Sequence, residues 1–101
     1  MSRAKIKDIN FNHTRELVYV SSESGAFAIL DYPSLELLHK FDAHVHECSA
    51  IGVELRGRYV ATGGGDALVN VWDTQQWICQ RTIPSAEYAS SQSIMKQDWA
   101  H

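Results

Sequence analysis

The chain repeats itself. Residues 6–41 lie on residues 48–83 without a gap, each position meeting one forty-two further on. Identities are few, but the apolar positions keep step. Ile9 falls on Ile51, Phe11 on Val53, Leu17-Val18 on Tyr59-Val60, and Phe27 and Ile29 on Val69 and Val71. Leu30-Asp31 falls on Trp72-Asp73, Leu35 on Trp77, Leu37 on Cys79 and Phe41 on Ile83. Such a chain builds one supersecondary unit twice and stacks the copies, because a single unit of this size cannot bury its own apolar face.

Each copy divides into four strands. Residues 7–12 alternate, with Ile9 and Phe11 on one face and Asp8, Asn10 and Asn12 on the other, which is the period of a strand. Residues 16–21 carry the β-branched and aromatic run Leu17-Val18-Tyr19-Val20. Turns fall at Asn12–Arg15, Ser22–Gly25 and Tyr32–Ser34, and further strands at 26–31 and 35–41. The second copy places its strands at 49–54, 58–63, 68–73 and 77–83, with turns at Gly57 and at Gly63–Asp66. Strands this apolar on both faces suit a sheet held between two others. After Pro84 the pattern stops. Residues 84–101 read as a loop or tail, or as the start of a further copy.

The second copy carries a signature. Ala43-His44 is followed, after 27 residues, by Trp72-Asp73; Asp66 stands six residues before Trp72, and Tyr59-Val60-Ala61-Thr62-Gly63 fills the second strand. With a period inside the roughly 40–45 residues of a propeller blade, the chain resembles the WD40-repeat family. The fold so implied is all-β: two consecutive four-stranded antiparallel blades of a β-propeller, a degenerate one at 6–44 and one with the Trp-Asp signature at 45–83. Two blades cannot close a ring, so the resemblance implies part of a propeller with apolar outer faces and a free strand edge. It also implies a structural hydrogen-bond network of His44, Thr62, Asp66 and Trp72. An imidazole, a hydroxyl, a carboxylate and an indole N–H can satisfy one another away from water. In the first copy Ser24 replaces the Asp, Leu30 the Trp and Ser2 the His, so no network is expected there.

Rival chemistries fit less well. His44, His46 and Cys48 alternate and could share zinc with Asp66, but a capping histidine beside two unrelated side chains is the simpler reading, and no metal or other cofactor is expected. Gly63-Gly64-Gly65 lacks the Gly-Lys-Ser/Thr ending and following helix of a phosphate loop. Asp66, Asp73 and His44 have only Thr62 as a nearby hydroxyl nucleophile, with no oxyanion site, so no enzyme and no small-molecule substrate is expected. Tyr32, Trp77 and Tyr88 lack the interleaved Arg and Lys of a base-stacking surface, and the formal charge is −3, so RNA is met at most indirectly. No apolar run approaches the ~18–20 residues that cross a bilayer, no secretory leader is visible, and Cys48 and Cys79 read as free intracellular thiols.

Longer phrases narrow the resemblance. Leu30-Asp31-Tyr32-Pro33-Ser34-Leu35, Asp42-Ala43-His44, Gly57 through Val69, Trp72-Asp73-Thr74 and Trp77-Ile78-Cys79 are similar to the WD40 subunits of THO complexes, in a fungal style. This implies a nuclear, non-enzymatic scaffold whose partners are the other subunits of an assembly coupling transcription to mRNA processing and export. Alternatives are a generic WD40 protein-binding module of another complex, or a truncated propeller without independent function. By family analogy the loops that would meet partners hold Asp42, Val45, His46, Glu47, Gly64 and Gly65.

Overall fold

A computed structural model describes residues 5–87 and 99–100. Eight strands follow one another: β1 (Ile6–Phe11), β2 (Leu17–Ser22), β3 (Ala26–Asp31), β4 (Leu37–Asp42), β5 (Cys48–Glu54), β6 (Tyr59–Gly64), β7 (Leu68–Asp73) and β8 (Ile78–Pro84). They form two antiparallel meanders, β1-β2-β3-β4 and β5-β6-β7-β8; a two-residue strand, β9 (Trp99–Ala100), lies on the free side of β5. The proposed tail at 84–101 is described only in part. Pro84 ends β8, and residues 88–98 and 101 lie outside the described residues, as do Ser2 and Tyr88.

The repeat extends to backbone irregularities. Among the described residues those with positive φ are Arg15, Gly25, Leu35, Gly57, Ala67 and Trp77, which pair as 15 with 57, 25 with 67 and 35 with 77. Register shifts occur between Ile6 and Asp8 and again between Cys48 and Ala50. They recur between Ile29 and Leu30 and between Val71 and Trp72. Three equivalent turns therefore share one geometry although residue types differ at every pair. Only Gly25 and Gly57 take the left-handed turn without a side-chain penalty.

The fourth strand of each sheet begins later than the alternation predicts, at Leu37 and Ile78 rather than at 35 and 77. Leu35 and Trp77 instead close a turn, their amides donating to Asp31 and Asp73 carbonyls at 2.8 Å. The Asp side chains complete it: Ser34 Oγ donates to Asp31 at 2.7 Å, and the Gln75 amide to Asp73 at 2.7 Å. A turn capped in this way holds the residue that an apolar pattern would assign to the strand.

The sheets meet face to face. Tyr19, Phe27 and Ile29 of the first pack with Ile51, Val53, Val60 and Trp72 of the second, and Leu17, Phe41, Ala43 and Trp77 close the margins. Phe27 is wholly buried; its ring centroid lies 5.9 Å from Tyr19, 5.6 Å from Trp72 and 6.2 Å from Trp77. On the opposite face of the first sheet Ile9 and Leu37 stay 55% and 54% exposed.

The free edge of β1 is blunted by its own polar residues. Asp8 accepts from the Ile9 amide at 3.0 Å, and Asn10 from the Phe11 amide at 3.1 Å. The second Asp8 oxygen crosses to the other sheet and accepts from the Ile51 amide at 2.9 Å. Ala50 and Gly52 occupy the equivalent positions of β5 and cannot do the same. There β9 supplies a ladder instead, pairing Ala100 with Val53 and Trp99 with Glu54. Each device satisfies edge amides that would otherwise template aggregation.

Phe27→Ala is expected to cost about 3–5 kcal/mol, most of the stability of a domain this small, whereas Leu37→Ala should change it by about 0.5 kcal/mol or less. Urea titration of the two variants checks this; equal losses would mean that the inter-sheet core is not what holds the sheets together.

Candidate functional site

The loop joining the sheets, residues 43–47, has its backbone tied to both of them. From the first sheet, the Gly25 carbonyl accepts from the Ala43 amide at 3.0 Å and the His44 amide at 3.1 Å. Gly25 sits at φ +93°, and a Cβ there would run into the carbonyls of His44 and His46. From the second sheet, Asn70 Nδ2 donates to the Ala43 carbonyl at 2.6 Å, and Thr82 Oγ1 donates to Asn70 Oδ1 at 2.7 Å. The Gly65 amide donates to the Glu47 carbonyl at 2.9 Å.

His44 stands at the centre, buried. Its Nδ1 lies 3.1 and 3.2 Å from the two Asp66 oxygens, and its Nε2 lies 3.1 Å from Thr62 Oγ1. Trp72 Nε1 donates to the same Thr62 oxygen at 3.0 Å. With the ring neutral and its proton on Nδ1, the chain runs one way: indole N–H to hydroxyl, hydroxyl to Nε2, Nδ1–H to carboxylate. Asp66 also accepts from the amides of Val45 at 3.3 Å and Leu68 at 3.2 Å, which fixes its turn to the loop. Burial pushes the Asp66 carboxyl up, but the His44 hydrogen bond, the Leu68 amide, the electrostatic pull of the His44 ring and the Val45 amide together hold it below its ordinary 3.8.

The structure thus brings His44, Thr62, Asp66 and Trp72 together. The loop positions lie around them: Val45 is 84% exposed, Asp42, His46 and Gly65 are exposed, and Glu47 and Gly64 are half-buried. The glycines are there for closeness. A Cβ on Gly64 would strike the His44 ring, and one on Gly65 the Glu47 carboxylate. The first sheet uses a Ser22–Ser24 hydroxyl pair at 2.8 Å in its equivalent turn.

The rival chemistries do not assemble. Both His44 ring nitrogens are taken, His46 faces solvent and Cys48 is fully buried, so the three alternating residues do not converge. Among the described residues no group of His, Cys, Asp and Glu gathers to hold a metal. Burial, with Asp66 and Asp8 adding and Ser21 opposing, pushes the Cys48 thiol up to about 11, which leaves it unreactive near neutrality. Burial alone pushes Tyr19 up to about 12. The Tyr32 ring packs edge-on against Phe11 at 5.0 Å, and Trp77 against Tyr19 at 5.6 Å.

Two contributors escaped the sequence reading. Asn70 is buried and ties the loop to β7, and Asp8 ties β1 to β5. Asn70 had one visible signal, a lone amide between Val69 and Val71 in an apolar strand.

The comparisons agree with this geometry. The solved structures of U3-55K and of the RRP9 WD40 repeats superpose with TM-scores of 0.78, at 14% and 15% identity. Each match covers 83% of this chain, and 28% and 27% of those chains. The Cps50 (Swd1) β-propeller domain of Myceliophteria thermophila matches with a TM-score of 0.75 at 18% identity, over 83% of this chain and 26% of that one. The two sheets have the fold of consecutive WD40 β-propeller blades. No family model matches the chain. THO complex subunit 3 of Arabidopsis thaliana is 32% identical over 84 residues, which is 83% of this chain but 27% of that protein. Ribosome biogenesis protein BOP1 homologs of Anopheles gambiae and Aedes aegypti are 33% and 31% identical over 60 and 61 residues, 59% of this chain and 7% of theirs. The chain therefore spans about a quarter or less of the length of the curated relatives it matches.

Two outcomes follow for the network. Thr62→Val strips partners from the Trp72 indole and from His44 Nε2, and should cost about 1–3 kcal/mol in a urea melt. The Asp66 contribution has a defined pH window. Its folded pKa is depressed, so the contribution is full above the unfolded value of about 3.9 and is lost as pH falls through the lower folded value. The urea midpoints of wild type and Asp66→Ala should therefore differ by a constant amount from pH 7 to about 5 and converge below about 4. A gap undiminished at the acid end would show that no ionised Asp66 supports the loop.

Proposed function

We propose that these blades belong to a non-enzymatic scaffold, the WD40 subunit of a THO-like complex that works in the nucleus and couples transcription to mRNA processing and export. The observation that carries the reading is the 32% identity to THO complex subunit 3, which runs through 83% of the chain, against 59% for the BOP1 homologs. The geometry supports a contact role over a chemical one. His44 and Asp66 use their polar atoms on each other, on Thr62 and on neighbouring backbone, while Val45 and His46 face outward on a loop held from both sheets, with exposed Asp42 and Gly65 beside it. A rigid scaffold presenting a fixed loop suits protein recognition.

The test is purification of the endogenous gene product containing these residues through an affinity tag, followed by mass spectrometry. THO subunits should accompany it in stoichiometric amount. A paired change on the loop, Val45→Asp with His46→Asp, should deplete them without moving the thermal melt. Recovery of ribosome-biogenesis proteins in their place would replace the THO reading with another WD40 complex, and recovery of no stable partner would leave a propeller piece without independent function.

A further inference from the structure

The two ends of the blades differ in charge. The end that carries the His44 loop comprises the turns at 22–25, 42–47 and 64–67, which hold Glu23, Asp42, Glu47 and Asp66 and neither lysine nor arginine. The opposite end comprises the turns at 12–16, 32–36, 55–58 and 74–77, and it holds Arg15, Arg56 and Arg58 with Glu16 and Glu36, all exposed, so the arginines outnumber the carboxylates there. These turns form one continuous surface. The His13 ring lies against Gly57, joining the first sheet's turn to the second's. The Tyr32 amide donates to the Glu16 carbonyl at 3.0 Å, and Thr74 Oγ1 donates to the Gly57 carbonyl at 2.6 Å.

The arginines are positioned but unpaired. The Arg15 guanidinium lies 5.6 Å from the Phe11 ring centroid, and that of Arg58 5.5 Å from Tyr59. Stacking of this kind restrains a long side chain without consuming its hydrogen-bond donors. Among the described residues the one contact at salt-bridge distance is His44 with Asp66, so none of the three has a carboxylate partner there. Apolar surface stands beside them: Leu55 is 55% exposed and Tyr32 44%. Pre-oriented arginines beside a tyrosine and a leucine have the composition of an interaction hot spot.

We propose that this end is a docking surface for an acidic peptide segment with interspersed aliphatic residues. Its carboxylates would take the forked donors of Arg15, Arg56 and Arg58, and an aliphatic side chain would cover Leu55. Charge pattern favours a peptide over a nucleic acid. Glu16, Glu36 and Glu54 lie in or beside the same turns and interrupt any track for an unbroken run of phosphates, whereas a peptide can space its carboxylates to meet the arginines alone. The Phe11 and Tyr59 faces that could stack on bases already carry the Arg15 and Arg58 guanidinium groups. This surface lies away from the His44 loop, and the proposal stands whether or not the THO reading holds.

The experiment is fluorescence anisotropy on the 101-residue chain with two labelled probes, a short peptide alternating Glu and Leu and an oligouridylate of equal length. The peptide should bind, more weakly as salt rises, and Arg15→Glu with Arg58→Glu should weaken it at least about tenfold. Arg56→Glu alone, at an exposed turn residue with no ring beneath it, should weaken it in the same direction. Lys40→Glu with Arg81→Glu, an equal charge change on the outer strands, should leave binding within about twofold, since exposed charges beyond a Debye length are largely screened. Tighter binding of the oligouridylate, with the same arginine dependence, would overturn the peptide assignment in favour of RNA. No binding of either probe, or equal loss in the outer-strand variant, would overturn the docking surface itself.

Discussion

Phe27 has no exposed surface because two sheets close over it. A lone four-stranded meander of this sequence has apolar residues on both faces and no third layer to hide either. Joining the sheets buries Tyr19, Phe27 and Ile29 against Ile51, Val53, Val60 and Trp72, and the four aromatic rings around Phe27 lie within 6.4 Å of it. At about 25 cal/mol per Å² of apolar surface removed from water, this contact is the main source of stability that either sheet gains from the other. Because the core is the interface, anything that fixes the angle between the sheets also fixes the core.

The connecting loop does that. Residues 43–47 link the sheets, and their backbone is held from both sides: by Gly25 of the first, and by Asn70, Gly65 and Asp66 of the second. Trp72 couples the two levels of organisation. Its ring packs 4.7 Å from Phe41 in the core, while its N–H begins the polar chain through Thr62 and His44 to Asp66. A shift of the sheets would break either the aromatic packing or the hydrogen bonds, and buried partners left unsatisfied are costly. The same coupling explains why the loop can present exposed residues in a fixed place without giving up backbone order.

Most of the fold was legible in the sequence because it is written twice. Ile9 with Ile51 or Phe27 with Val69 says little alone; the shared spacing carries the inference, since a strand pattern that recurs in register needs the same turns between its strands. The residues of the His44 network were legible for a different reason, their spacing, which the structure turns into distances of 3.0–3.2 Å. What stayed hidden were polar groups serving backbone atoms far along the chain. Asp8 reaches the Ile51 amide and Asn70 the Ala43 carbonyl. A backbone amide or carbonyl has no residue identity, so such a pair leaves no motif. The starts of β4 and β8 were misjudged because Leu35 and Trp77 look like strand residues, whereas the deciding feature is the Asp-capped turn before them.

The first blade shows what the signature residues are for. It lacks the His, Asp and Trp set, yet its three turns keep the positive-φ positions of the second blade and its register shifts fall at equivalent places. The four-stranded sheet therefore does not need the polar network in order to form. In the first blade the turn at 22–25 instead presents the Gly25 carbonyl to the His44 loop, close enough that no Cβ fits. A bulky Asp-centred network in that turn would compete for the same space. The network belongs where a loop must be pinned to the sheet that follows it, and its absence from the first blade lets that blade's turn act as the other jaw of the clamp.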